Sequence, residues 1–142
     1  MKLGTFLGKR HRKIFKMKKL FTLSVIAVVL SSFTLFSGID DIISAMKNGS
    51  ATQMSKYFDN SVEISMPDKT NSYSKSQAEL VLKDFFTING VKGFEVIHKG
   101  ENAGSQYCIG TLQTKNGSYR TTIFMKQKKD VQVLQELRFE NR

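Results

Sequence analysis

Apolar residues recur at helical spacing about a quarter of the way along the chain. Ile39, Ile42, Ile43 and Met46 fall at i, i+3, i+4 and i+7. This pattern predicts a helix over residues 39–47 with one apolar face.

A second helix is predicted directly after the first. Ser50 is a favourable N-cap residue and Gln53 follows at the capping-box position. Asp59 and Asn60 are expected to end this helix before a strand. Its inner face is predicted to contain Ala51, Met54, Tyr57 and Phe58.

The third predicted helix has the widest apolar stripe in the chain. Ser76 is expected to cap it, with Glu79 completing the capping box, and Asn89 and Gly90 provide a left-handed exit. A stripe this wide requires a large apolar surface to pack against, and a sheet is the expected one. The stripe is predicted to contain Ala78, Val81, Leu82, Phe85, Phe86 and Ile88.

Alternation of apolar and polar residues predicts the strands. Residues 62–66 form the first, Pro67 and Asp68 stop it, and a weak extended segment at 70–73 pairs back. Asn116 and Gly117 mark the clearest hairpin turn. Four more strands are predicted over residues 93–99, 105–114, 118–127 and 131–139. The fold class is therefore α+β, in the order α-α-β-β-α-β-β-β-β, with a long helix across a curved antiparallel sheet.

The first 37 residues differ in character from the rest of the chain. They contain eight basic residues and no acidic one, and residues 20–36 are an uncharged, largely apolar run. This is the pattern of a secretory signal peptide, which predicts residues 1–37 as a leader and 38–142 as one domain. Cleavage is expected after Ser37 or Gly38, and an uncleaved membrane anchor is the alternative. Met17 is a candidate initiator residue, because a leader that begins at Met17 has the length of an ordinary signal peptide.

Most of the net positive charge of the chain lies in the predicted leader. The formal net charge is +10, but residues 38–142 hold 14 basic and 12 acidic residues. A domain so nearly neutral has no long-range attraction for phosphate, which argues against a nucleic-acid partner. The single cysteine, Cys108, excludes an intramolecular disulfide and is expected to be a buried strand residue.

Four segments carry a resemblance to a known family. They are residues 38–49 (GIDDIISAMKNG), 54–64 (MSKYFDNSVEI), 76–86 (SQAELVLKDFF) and 134–139 (LQELRF). In these segments the chain resembles a family of short exported bacterial proteins known as a domain of unknown function. The resemblance implies the nuclear transport factor two-like, or cystatin-like, fold, a cone of bent sheet around a long helix. That fold is shared by enzymes and by inert interaction modules, so it implies no chemistry.

Polar residues that could act inside such a cone are few. His98 is expected on the same strand face as Phe94, as a packing residue at a strand end, and Asp59 is expected to satisfy backbone donors at a turn. No cluster of His, Cys, Asp or Glu has metal-ligand spacing. We therefore predict no catalytic residue, no metal and no cofactor.

Aromatic residues could leave a cavity where the helices meet the sheet. Gln135 falls among apolar residues in its strand, so either its amide points into the interior or the strand carries a bulge there. An inward amide would need Tyr107, Tyr119 or a ligand as its partner. The candidate ligand-binding residues are Tyr57, Phe58, Phe85, Phe86, Tyr107, Tyr119 and Gln135.

These observations leave two classes of function open. The first is a non-enzymatic module of the cell envelope, periplasmic or extracellular, that binds a small apolar ligand or a protein. Strand 118–127 has apolar residues on both faces, and a homodimer is the simplest cover for the outer one. The second is a small-substrate isomerase or dehydratase with an acid inside the cone. Contact with a membrane is expected only through an uncleaved leader.

Overall fold

Two short helices precede the sheet. The computed structural model describes residues 38–142, and the predicted leader lies outside the described residues. Helix α1 spans Gly38–Lys47, as the periodicity predicts, and α2 spans Ala51–Ser55 with Ser50 as its N-cap. Among the described residues, no helix is long and apolar enough to cross a lipid bilayer.

The second helix is shorter than predicted, and Phe58 is not part of it. Phe58 begins strand β1, and Asp59 and Asn60 lie inside that strand. The reason is pairing with a distant strand: the Tyr57 carbonyl oxygen accepts a hydrogen bond from the Leu134 N–H at 2.6 Å, and Phe58 pairs with Leu134. Sheet pairing therefore overrides the local helical pattern.

The long helix, α3, spans Lys75–Asn89. Ser74, rather than Ser76, is its N-cap, and the Ser74 and Gln77 side chains each accept a hydrogen bond from the other's backbone N–H. Gly90 ends the helix at φ +66°, as predicted. Ile88 is 74% exposed, against prediction. It lies two residues after buried Phe86, about 200° around the helix axis, and so faces away from the sheet.

Six strands form one sheet in the order β2-β1-β6-β5-β4-β3. Strands β1 and β6 pair in parallel, and the other neighbouring pairs are antiparallel. The element order is the predicted one. The strand bounds are Phe58–Met66 (β1), Lys69–Ser74 (β2), Val91–Asn102 (β3), Ser105–Thr114 (β4), Gly117–Lys128 (β5) and Val131–Asn141 (β6).

The β4–β5 hairpin lies where predicted, but its turn is shifted by one residue. Thr114 pairs with Gly117, so Lys115 and Asn116 form the turn. Of the two predicted turn residues, Asn116 and Gly117, only Gly117 has a positive φ. The Thr114 hydroxyl donates to the Gly117 carbonyl oxygen at 2.7 Å and accepts from the Asn116 N–H at 3.2 Å. These side-chain bonds stabilise the alternative turn.

The hydrophobic core lies between the helices and one face of the sheet. Leu82 of α3, Ile123 of β5 and Leu137 of β6 are fully buried there. Cys108, Ile123 and Leu137 are paired neighbours across β4, β5 and β6, so their row faces inward. The adjacent row must face outward, because side chains alternate along a strand.

Close approach of two strands requires glycine at position 110. A Cβ there would lie 2.6 Å from the Glu95 carbonyl oxygen and would overlap the Phe94 ring. We expect Gly110→Ala to lower the free energy of unfolding by about 1–3 kcal/mol or more, because backbone must move to admit the methyl group. Chemical denaturation monitored by circular dichroism measures this loss.

Gly93→Ala is the matched control on the neighbouring strand. The nearest atom to a Cβ at position 93 is Gln113 Oε1 at 3.7 Å, an ordinary contact. Equal loss of stability in both variants would contradict the packing argument at Gly110.

Candidate functional site

The interior aromatic residues pack against one another. The Phe85 ring lies 4.6 Å from the Phe139 ring, 5.3 Å from Tyr119 and 6.1 Å from Phe86, measured between centroids. The Tyr119 hydroxyl donates to Asn89 Oδ1 at 3.1 Å, so its polar atom is paired within the protein. Phe58, Phe85, Phe86 and Tyr119 thus belong to or pack against the core cluster. They contribute to the packing of the core.

Gln135 occupies a β-bulge. Phe124 pairs with Glu136 and Met125 pairs with Leu134, which leaves Gln135 as the extra residue of β6. The bulge brings Leu134 into the core and makes the inward-amide alternative wrong. Neither Tyr107 nor Tyr119 is its partner: the Gln135 amide donates to Asp59 Oδ2 at 3.0 Å.

Asp59 joins three parts of the sheet. Its carboxylate also accepts from Lys128 Nζ at 2.6 Å and from the Asn60 N–H at 2.8 Å, and its side chain is only 11% exposed. The bond to Asn60 is the local role predicted, but the contacts to β5 and β6 are long-range and could not be seen in the sequence. The Lys128 ammonium, followed by the Gln135 amide, lowers the pKa of Asp59 below its ordinary value.

Tyr57 lies in the turn between α2 and β1 and packs against the core cluster. Its hydroxyl donates to Asp41 Oδ2. Together with Gln53 and Lys56 it lines a surface cleft of about 210 Å³. Asp41 and Ser44 of α1 complete the lining of this open cleft.

Tyr107 lies on the outer face of the sheet. Its row neighbours are Gly100 on β3 and Phe124 on β5, and its hydroxyl is 2.8 Å from His98 Nε2. His98 was expected on the face of Phe94, which is wrong. A bulge between Val96 and His98 shifts the register, so Phe94 faces the core and His98 faces outward.

A larger cleft opens at the β1–β2 turn. It has a volume of about 670 Å³ and is lined by Met66, Pro67 and Lys69 on one side and by Arg138 and Glu140 of β6 on the other. Arg138 is occupied within the protein, because it donates to Glu136 Oε1 at 2.9 Å. This open, mostly polar groove contains none of the predicted candidates.

Titratable groups are scarce in the interior. Among the buried residues of 38–142 there is no Asp, Glu or His; the buried polar ones are Ser55, Asn89, Gln106, Thr111, Thr114 and Thr121. Within the same range, no three His, Cys, Asp or Glu residues are placed to hold a metal ion. Cys108 is fully buried, and burial raises its pKa to about 11.

The helices and the six-stranded sheet together define the nuclear transport factor two-like fold. A protein of that fold and of unknown function from Cytophaga hutchinsonii has a TM-score of 0.55 to this chain at 10% identity, covering 75% of this chain and 88% of that chain. At such identity the likeness concerns the fold alone.

The chain belongs to the family described as "Domain of unknown function (DUF4783)", whose model matches residues 39–140. A family protein from Bacteroides ovatus is 32% identical with a TM-score of 0.70, covering 72% of this chain and 93% of that chain. One from Bacteroides uniformis is 28% identical with the same TM-score, covering 72% and 95%. No curated protein matches the chain. The resemblance found in the sequence is thereby confirmed.

Asp59 provides a test of the clamp between β1, β5 and β6. We expect Asp59→Ala to lower the free energy of unfolding at pH 7 by about 1–3 kcal/mol, because the Gln135 amide loses its acceptor. The difference in free energy of unfolding between the variant and the unmodified protein should narrow below about pH 4. As pH falls through the lowered pKa of Asp59, protonation removes the same interaction from the unmodified protein. Urea denaturation across pH measures both effects.

Asp84→Ala is the control, because Asp84 is an exposed residue of α3. It should change stability by no more than about 0.5 kcal/mol. A pH-independent gap between the Asp59 variant and the unmodified protein would contradict the role assigned to the ionised carboxylate.

Proposed function

We propose that this chain is a non-enzymatic protein-interaction module of the cell envelope, exported by the leader in residues 1–37. In this proposal it acts through the outer face of its sheet, and a second copy of the chain is the partner. The observation that carries the proposal is the pair of aromatic residues, Tyr107 and Phe124, side by side and only half-buried on that face.

The apolar part of the outer face extends beyond these two rings. Ile109 is paired with His98 on β3 and with Thr122 on β5, in the row next to Tyr107 and Phe124. These side chains lie on strands β3 to β5, on the face opposite the helices. Partly exposed aromatic residues in a contiguous group are typical of protein interfaces.

Charges of both signs lie beside the apolar group. Glu136 and Arg138 follow it on β6, and Arg120 and Glu140 pair across β5 and β6 on the same face. A two-fold interface brings the same surface of two copies together, so acidic and basic residues of one copy can meet their opposites on the other. This pattern favours self-association of the face.

The contents of the interior favour this function over ligand binding or catalysis. The space between α3 and the sheet is occupied by mutually contacting rings and by fully buried aliphatic side chains. Asp59 is the least exposed of the acidic residues described above, and its carboxylate is already paired with the Lys128 ammonium. A general acid or base needs a free ionisable group facing a cavity, and no residue described above meets that requirement.

Phe124→Glu tests the proposal. We expect the unmodified protein to sediment as a dimer at micromolar concentration and the variant to dissociate, with a dissociation constant raised at least about 30-fold. The physical reason is that a carboxylate would be buried without a partner at the centre of the interface. Analytical ultracentrifugation over a concentration series measures the change.

Leu80→Glu is the matched control. Leu80 is 62% exposed on α3, on the opposite side of the sheet, and its substitution adds the same charge. It should leave the dimer unchanged. A monomeric unmodified protein, or equal dissociation constants for Phe124→Glu and the unmodified chain, would overturn the proposal.

A further inference from the structure

Two glutamine side chains converge on the first residue of α1. A Cβ built on Gly38 would lie 3.4 Å from Gln106 Oε1 and 3.1 Å from the Cβ of Gln132. Gln106 is on β4 and Gln132 on β6, so the two reach Gly38 from different strands of the sheet. Gly38 itself is buried between them.

The oxygen atoms of both amides are buried and have no hydrogen-bond partner. Gln106 as a whole is only 8% exposed. Its amide nitrogen donates to Glu101 Oε1 at 2.9 Å, and this bond orients the opposite end of the amide, the oxygen, away from Glu101. Unpaired buried acceptors are rare in native proteins, so this pair calls for a donor.

We propose that the chain is cleaved between Ser37 and Gly38 and that the amide oxygens of Gln106 and Gln132 receive the new α-ammonium group of Gly38. In the uncleaved chain the Gly38 nitrogen carries one N–H; after hydrolysis it carries three donors and a positive charge. Hydrogen bonds from a charged donor are about twice as strong as neutral ones. Two unpaired oxygen acceptors on side chains that lie against Gly38 therefore fit the cleaved form better than the intact peptide.

The cleavage is a hydrolysis whose atoms balance. Water adds across the Ser37–Gly38 peptide bond, Ser37 leaves as a carboxylate, and the glycine nitrogen takes up protons to become an ammonium. The catalyst is an endopeptidase coupled to export, acting before the domain folds. This inference rests on the export that forms part of the proposed function.

Acidic residues near Gly38 offset the charge of the new terminus. A positive group at the N-terminus of a helix is opposed by the helix dipole. Asp40 and Asp41 lie in the first turn of α1, and Glu101 lies behind Gln106. Lys99 also faces this region, but it is paired with Asp40 at 2.8 Å.

The same geometry selects between the two cleavage positions that the sequence allows. Cleavage after Gly38 would remove the residue that lies against both glutamine side chains and would leave their unpaired oxygens without this donor. A mature chain that begins with Gly38 keeps the donor in place.

The first experiment determines where the mature chain begins. The full-length gene is expressed in an export-competent bacterium, and the protein from the envelope fraction is analysed by intact mass and N-terminal sequencing. We expect one species that starts at Gly38. A start at Ile39 or elsewhere, or a retained leader, overturns the inference. A retained leader leaves the proposed dimer intact, because ultracentrifugation tests that separately.

The second experiment tests the contact with the two amides. The processed protein is treated at neutral pH with a limiting amine-acylating reagent, and modification of the Gly38 amine is measured relative to lysines. We expect the amine to react about tenfold more slowly than in Gln106→Met/Gln132→Met, because charge-assisted hydrogen bonds hold it as the unreactive ammonium. Equal rates overturn the assignment.

Controls separate the contact from a general loss of structure. Gln113→Met makes the same substitution at an exposed position of β4 and should keep the slow rate. Gln106→Glu retains an oxygen acceptor and should also keep the slow labelling rate. This single variant provides a test even if the double variant folds poorly. Fast labelling in Gln106→Glu, with a native circular dichroism spectrum, overturns the role of Gln106.

Discussion

The packing of α3 against the sheet is the contact on which the rest of the molecule depends. Phe85 lies against Phe139 and Tyr119, and these rings pack between α3 and the sheet. Polar atoms drawn into this space must pair with one another, as the Tyr119 hydroxyl does with Asn89. The same packing fixes the position of the sheet, whose outer face carries the half-buried rings of Tyr107 and Phe124.

Much of the fold could be predicted because its signals are local. The face of α1, the exit of α3 at Gly90 and the alternation in β5 are each set by neighbours within a few residues. The bulge before His98 was not predicted, and the bulge at Gln135 was only one of two alternatives, since a bulge depends on which residue of another strand lies opposite. Phe58 was assigned to a helix for the same reason: its partner, Leu134, lies far along the chain.

The candidate site was predictable only in part. The aromatic residues of the interior were recognised as a group, but periodicity cannot show whether such rings leave a cavity or fill it. The role of Asp59 was predicted from its neighbours in sequence alone. Its ion pair with Lys128 depends on the pairing of β6 with β1, which brings the β5–β6 hairpin beside Asp59. The unpaired oxygens of Gln106 and Gln132 have no signal in sequence, because an unsatisfied acceptor is a property of packing.

The burial of Cys108 has a consequence for the reactivity of its thiol. An exposed thiol is a liability, since thiolates attack the disulfides of other proteins and form mixed disulfides. Burial raises the pKa of Cys108 to about 11, so the thiol is protonated at neutral pH, and its side chain is fully buried in the core. The sheet thus shields the Cys108 thiol from oxidants and from the disulfides of other proteins.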